Sequence, residues 1–177
     1  EGNIPVELGT LELLNNLILY QNQLSGTIPV ELGDLSTLNT LELNDNQLEG
    51  SIPSALGTLV NLGSLALNNN LLSGTLPEEL GQLVNLTLLN ISDNLLLSGP
   101  IPLTFINLPL DTFYFTNTDL CEQTDDLFLT WKASVPYWDG TNVICQEDFT
   151  CAIVSEIPTL ECEALVALYN STAGDSW

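Results

Sequence analysis

The chain repeats itself every 24 residues, and this period constrains its fold more than any other property. Residues 9–32 read GTLELLNNLILYQNQLSGTIPVEL, residues 33–56 GDLSTLNTLELNDNQLEGSIPSAL and residues 57–80 GTLVNLGSLALNNNLLSGTLPEEL. A further copy begins at Gly81 and is lengthened by one residue around Leu95 to Leu97, and a degenerate copy ends at Leu120. A short fixed period means that each copy is one structural unit. Such a unit cannot bury its apolar face alone and has to stack on its neighbours.

Within each copy an L-x-L pair opens a strand: Leu17 and Leu19, Leu41 and Leu43, Leu65 and Leu67, Leu89 and Ile91, Phe113 and Phe115. Alternation sends these side chains inward and their neighbours outward, so five parallel strands are expected side by side, about 4.8 Å apart. Three residues after the second apolar position stands Asn22, Asn46, Asn70 or Asn94. An amide at that corner satisfies backbone groups of its own turn and of the adjoining coil, which predicts a structural asparagine ladder. Gly26, Gly50, Gly74 and Gly99 supply the next bend. Pro5, Pro29, Pro53, Pro77 and Pro102 suit an outer edge that needs no continuous second ladder. Leu32, Leu35, Leu38 and their later equivalents fill the opposite side, each worth about 1.5–3 kcal/mol when buried.

The pattern L-x-x-L-x-x-L-x-L-x-x-N-x-L-x-G-x-I-P resembles the plant-type leucine-rich repeat of plant receptor-kinase ectodomains, polygalacturonase-inhibiting proteins and secreted or surface proteins of bacteria. The resemblance covers about residues 1–120; Thr118 in place of the ladder asparagine, with Asp111 and Thr112, marks a fading last copy. It implies an α/β solenoid: a right-handed coil with one parallel β-sheet on a concave face, a 3-10 or irregular convex side and a C-terminal helical cap. It further implies that the concave face recognises peptides or proteins.

After the array, residues 121–146 read as the cap. Thr124, with Asp125 and Asp126 behind it, is a helix-start signal, and Leu127 and Trp131 lie one turn apart on a face suited to cover the last coil. Four cysteines allow three pairings. Pairing of neighbours, Cys121 with Cys145 and Cys151 with Cys162, fits a cap followed by a separate small unit, and an even count at domain ends favours an oxidising compartment. With no histidine and no C-x-x-C, a structural zinc site is not expected. In residues 147–177 a helix is expected over about 159–169, with Cys162, Leu165 and Tyr169 on one face. The string ECEALVALYNSTAGDSW resembles the amino-terminal capping helix of another array of the same family, so the chain is expected to be cut from a longer, multi-array parent.

Charge narrows the partners. The formal net charge is -22, from 23 carboxylates against the single cation Lys132. Such a surface repels polyanions, which excludes nucleic acid and anionic membranes as partners, and no apolar run reaches the roughly 18 residues of a spanning helix. The expected partner is a protein or peptide, or else a glycan. A secreted or cell-surface setting is expected, and a spacer or adhesin stalk is the alternative role.

The outward side chains beside each L-x-L pair form four columns. The first holds Asn16, Thr40, Ser64, Leu88 and Thr112, and the second Ile18, Glu42, Ala66, Asn90 and Tyr114. The third holds Tyr20, Asn44, Asn68, Ser92 and Thr116, and the fourth Gln21, Asp45, Asn69, Asp93 and Asn117. The expected ligand-binding residues are Ile18, Tyr20, Gln21, Glu42, Asn44, Asp45, Ala66, Asn68, Asn69, Asn90, Ser92, Asp93, Tyr114 and Thr116, with the tyrosines as anchors. No catalytic residue or cofactor is expected, because without histidine there is no imidazole base or metal ligand. The one remaining route, a glycosidase-type carboxylate pair, would use Asp45 and Asp93. Two coils place them about 10 Å apart on an open surface. Asp45, Asp93 and Glu42 form no calcium loop. Asn85, Asn90 and Asn170 stand in N-x-S/T strings that accept glycans in a eukaryotic secretory route.

Overall fold

The computed structural model describes residues 1–145. Each coil contributes two short strands. In chain order they are β1 (Gly2–Asn3), β2 (Asn16–Ile18), β3 (Leu24–Thr27), β4 (Thr40–Glu42), β5 (Gln47–Gly50), β6 (Ser64–Ala66), β7 (Leu71–Gly74), β8 (Leu88–Asn90), β9 (Leu96–Pro100), β10 (Thr112–Tyr114), β11 (Asp119–Cys121) and β12 (Tyr137–Asp139). The even-numbered strands form one parallel sheet, β2-β4-β6-β8-β10-β12, and the odd-numbered strands another, β1-β3-β5-β7-β9-β11.

The first sheet is the ribbon that the L-x-L pairs predict. Its register advances by 24 residues per strand: Leu17 faces Leu41, Leu41 faces Leu65, Leu65 faces Leu89 and Leu89 faces Phe113. It has six strands where the repeats account for five, because the cap supplies β12, with Trp138 beside Phe113.

The second sheet departs from the single sheet expected. The prolines do not forbid it, because the ladder ends before the residue each of them would interrupt: β3 stops at Thr27, ahead of Pro29, and β5 at Gly50, ahead of Pro53. Each of these prolines then precedes a 3-10 turn: Val6–Thr10, Val30–Asp34, Ser54–Thr58, Glu78–Gln82 and Leu103–Asn107. Proline fits there because its fixed φ suits the entry and its missing N–H would be unpaired in any case. The turns pack so closely that a Cβ on Gly57 would lie 2.3 Å from Glu79 O of the next coil.

The interior is one apolar cluster running from Ile4 to the cap, in which Leu32, Leu35, Leu38, Leu56, Leu59, Leu62, Leu80, Leu83 and Leu86 are all fully buried. The asparagines tie successive coils together beside it. Asn70 Nδ2 donates to Leu67 O (3.0 Å) in its own coil and to Leu43 O (3.0 Å) in the previous one, and Asn70 Oδ1 accepts from Leu48 N (3.0 Å). Asn46 and Asn94 repeat the pattern. Asn22, in the first coil, binds only Leu19 O and Tyr20 O. Thr118, lacking the amide, keeps only local bonds: its hydroxyl donates to Phe115 O (2.7 Å) and accepts from Leu120 N (3.4 Å).

The cap is built on α1 (Asp126–Ser134). Its N-cap is Asp125, whose carboxylate accepts from Phe128 N (2.9 Å), rather than Thr124. The face turned to the array is that of Phe128, Trp131 and Val135, which are buried, whereas Leu127, expected on the covering face, is 69% exposed. Trp138 packs edge-on against Phe113, Phe115, Phe128 and Trp131. Cys121 is bonded to Cys145. Glu122, 1% exposed, is paired with Lys132 and accepts from Trp138 Nε1 (3.1 Å). The expected pair Cys151–Cys162 and the helix near 159–169 lie outside the described residues.

Candidate ligand-binding face

The outward side chains of the ribbon align in the columns read from the repeat. Asn16, Thr40, Ser64, Leu88 and Thr112 are register partners in succession, as are Ile18, Glu42, Ala66, Asn90 and Tyr114. The cap extends both rows, placing Tyr137 beside Thr112 and Asp139 beside Tyr114. These two residues escape any reading of the repeat, since the cap does not share it. The only signal is the alternation of Tyr137-Trp138-Asp139 after Pro136. The third column continues the ladder beyond the strands: Gln21 N donates to Asn44 O, Asp45 N to Asn68 O, Asn69 N to Ser92 O and Asp93 N to Thr116 O.

The fourth column marks the corner. Gln21, Asp45, Asn69, Asp93 and Asn117 all take positive φ, between 53° and 57°. Asn and Asp tolerate that left-handed conformation best among residues with a side chain. Their side chains are also tied to one another. Asn69 Nδ2 donates to Asp45 Oδ1 (2.7 Å), Asn117 Nδ2 to Asp93 Oδ1 (2.7 Å), and Asn44 Nδ2 to Asp45 Oδ2 (2.7 Å). Asp45 and Asp93 therefore hold amides of this chain.

Other members of the face differ in availability. Ser92 is buried and its hydroxyl donates to Asn90 Oδ1 (2.8 Å). Ile18 and Tyr20 are exposed; Glu42, Asn44, Ala66, Asn68, Tyr114 and Thr116 are half-buried. Small residues at the third coil leave an open depression of about 440 Å³. Ser64, Ala66 and Asn68 form its floor, Tyr20, Gln21, Glu42 and Asn44 one side, and Leu88 and Asn90 the other. Of the three acids expected at the site, Glu42 alone has neither an ion pair nor a side-chain hydrogen bond among the described residues.

In-register parallel strands, an asparagine ladder and a 3-10 turn in every coil define a leucine-rich-repeat solenoid. The Leucine Rich Repeat family model matches residues 37–59 and 61–83. Three solved structures show the same architecture. The Arabidopsis thaliana receptor kinase HAESA, in complex with the peptide hormone IDA and the co-receptor SERK1, is 36% identical over 82% of this chain, with TM-score 0.73. The plant peptide hormone receptor RGFR1 in complex with RGF2 is 39% identical over 76%, with TM-score 0.70. The BIR2 ectodomain from Arabidopsis thaliana is 37% identical over 68%, with TM-score 0.62. The chain covers 24%, 21% and 63% of these structures in turn. No curated protein matches by sequence. The chain belongs to the plant-type leucine-rich-repeat family. Among the described residues, no helix is long and apolar enough to cross a membrane.

Proposed function

We propose that the chain is a binding module of a secreted or cell-surface protein and that the outer face of its ribbon docks a peptide or a folded protein. In this reading residues 1–120 are the array, 121–146 its cap, and 147–177 lead toward a further array. The observation that carries it is the unbroken register, which gathers Tyr20, Glu42, Asn44, Asn68 and Asn90 around a depression floored by small side chains, with Tyr114 beside Asn90 on the next strand. Amphipathic tyrosines at the margins and unfilled polar groups between them are the composition of an interface centre. The likeness to receptors solved with peptide hormones points the same way. Binding is favoured over catalysis because Asp45 and Asp93, the acid pair considered for glycosidic cleavage, already accept amide hydrogen bonds that hold both carboxylates in place.

Peptides selected from a displayed library against the whole chain test this. Tyr20→Ala and Asn68→Ala are expected to weaken the selected binders at least tenfold, while Val84→Ser on the 3-10 side leaves them unchanged. Binders indifferent to both ribbon substitutions would favour a spacer role.

A further inference from the structure

We infer that the ligand of the ribbon face presents an arginine side chain to the depression, with Glu42 as its counter-ion. The inference rests on the reading of that face as the binding surface and adds the chemistry the ligand must carry. Glu42 sits in β4 with Ile18 beside it on one neighbouring strand and Ala66 on the other, so neither neighbour offers it a donor. It is half-buried at the side of the depression, and its carboxylate makes no ion pair or side-chain hydrogen bond among the described residues. The other two acids of the face differ, since Asp45 and Asp93 are both engaged by amides. No side-chain cation of this protein can be diverted to Glu42: the sequence contains one Lys or Arg, Lys132, and it is committed to the buried Glu122 in the cap. Any fixed counter-ion for Glu42 would therefore come from a partner, and the surrounding negative field steers a cationic partner inward.

The remaining groups favour a guanidinium over an ammonium. Asn44 donates its amino group to Asp45, which fixes the amide and leaves its Oδ1 to accept, two residues along the same outward face from Glu42. A carboxylate and a carbonyl oxygen together suit a planar group with several fixed N–H donors and no acceptor. Tyr20 borders the same depression and is 45% exposed, which offers a ring face on which such a plane can stack.

The test is an NMR titration of the isotope-labelled 177-residue chain with three extended peptides that differ at one central position: arginine, lysine or the uncharged isostere citrulline. The expected result is a saturable shift of the Ser64, Ala66 and Asn68 amides, with affinity falling from arginine to lysine to citrulline. Glu42→Gln should weaken the arginine peptide about fivefold, as for a part-exposed ion pair. Glu49→Gln, the same charge change on the second sheet, should leave it within about 1.5-fold. Citrulline binding as tightly as arginine at those amides would overturn the cation requirement while leaving the binding face in place. Equal weakening by Glu42→Gln and Glu49→Gln would overturn the assigned counter-ion. No shift on the ribbon with any of the peptides would overturn the inference and count against the face itself.

Discussion

Removing single rungs of the asparagine ladder should cost unequal amounts, in an order set by who shares each bond. Leu43 O accepts from both Asn46 and Asn70, and Leu67 O from both Asn70 and Asn94. In Asn70→Ala each of these carbonyls keeps one donor, and only Leu48 N–H loses its partner outright. A buried unsatisfied donor costs about 1–3 kcal/mol and each lost bond about 0.5–1.5 kcal/mol. With partial relaxation, Asn70→Ala should destabilise by about 3 kcal/mol. Asn94→Ala should cost about 1 kcal/mol more, because Thr118 carries no amide to share Ile91 O, so that carbonyl loses its side-chain donor along with Leu72 N–H. Asn22→Ala removes only two bonds to carbonyls at an exposed corner and should cost under about 1 kcal/mol. Urea unfolding followed by far-UV circular dichroism measures all three, provided the denaturant slopes agree among the variants. Equal costs within about 0.5 kcal/mol would refute the shared-donor reasoning.

Four further outcomes follow from the cap and the ribbon. Lys132→Met leaves the buried Glu122 carboxylate with the Trp138 indole N–H and should destabilise the chain by about 3–5 kcal/mol; Lys132→Met combined with Glu122→Gln should recover most of it in the same urea titration. Reduction of Cys121–Cys145, which spans 24 residues, should cost about 3.5 kcal/mol by loop entropy, read as a lowered urea midpoint with reductant. Gly140→Ala would place a Cβ 2.0 Å from Phe115 Cζ and should cost about 1–3 kcal/mol, with the Trp138 indole resonance moving because that ring packs on Phe115. Asn69→Ala frees Asp45 Oδ1 at a positive-φ corner and should cost about 1 kcal/mol in thermal unfolding, since an exposed bond and a tolerated conformation are lost together.

The sequence makes legible what repeats. The L-x-L pairs and the ladder asparagines are dictated by a period that returns the same side chain to the same wall every 24 residues, so Leu41, Leu65 and Leu89 become register partners. The second sheet is less legible because its pairing comes from backbone alone. Proline and glycine at its borders suggest interruption, yet they fall where the ladder has already ended or bends, as at Gly50 with φ 78°. The cap obeys no period, and Leu127 and Phe128 each lie within one turn of Trp131, so which of them enters the core depends on how the helix rolls against the last coil, which the spacing does not reveal. At the binding face the columns were legible but the internal pairing was not. That Asp45 and Asp93 are held by amides while Glu42 is not depends on side-chain reach across strands, which spacing in the chain does not reveal.

The account stands on the register of the ribbon, and scalar couplings across hydrogen bonds measure it directly by NMR. Correlations are predicted from Leu19 N to Glu42 C′, Leu43 N to Ala66 C′, Leu67 N to Asn90 C′, Ile91 N to Tyr114 C′ and Phe115 N to Asp139 C′. Partners displaced by two residues along any of these strands, or couplings that pair the strands antiparallel, would separate the columns and contradict the surface built on them.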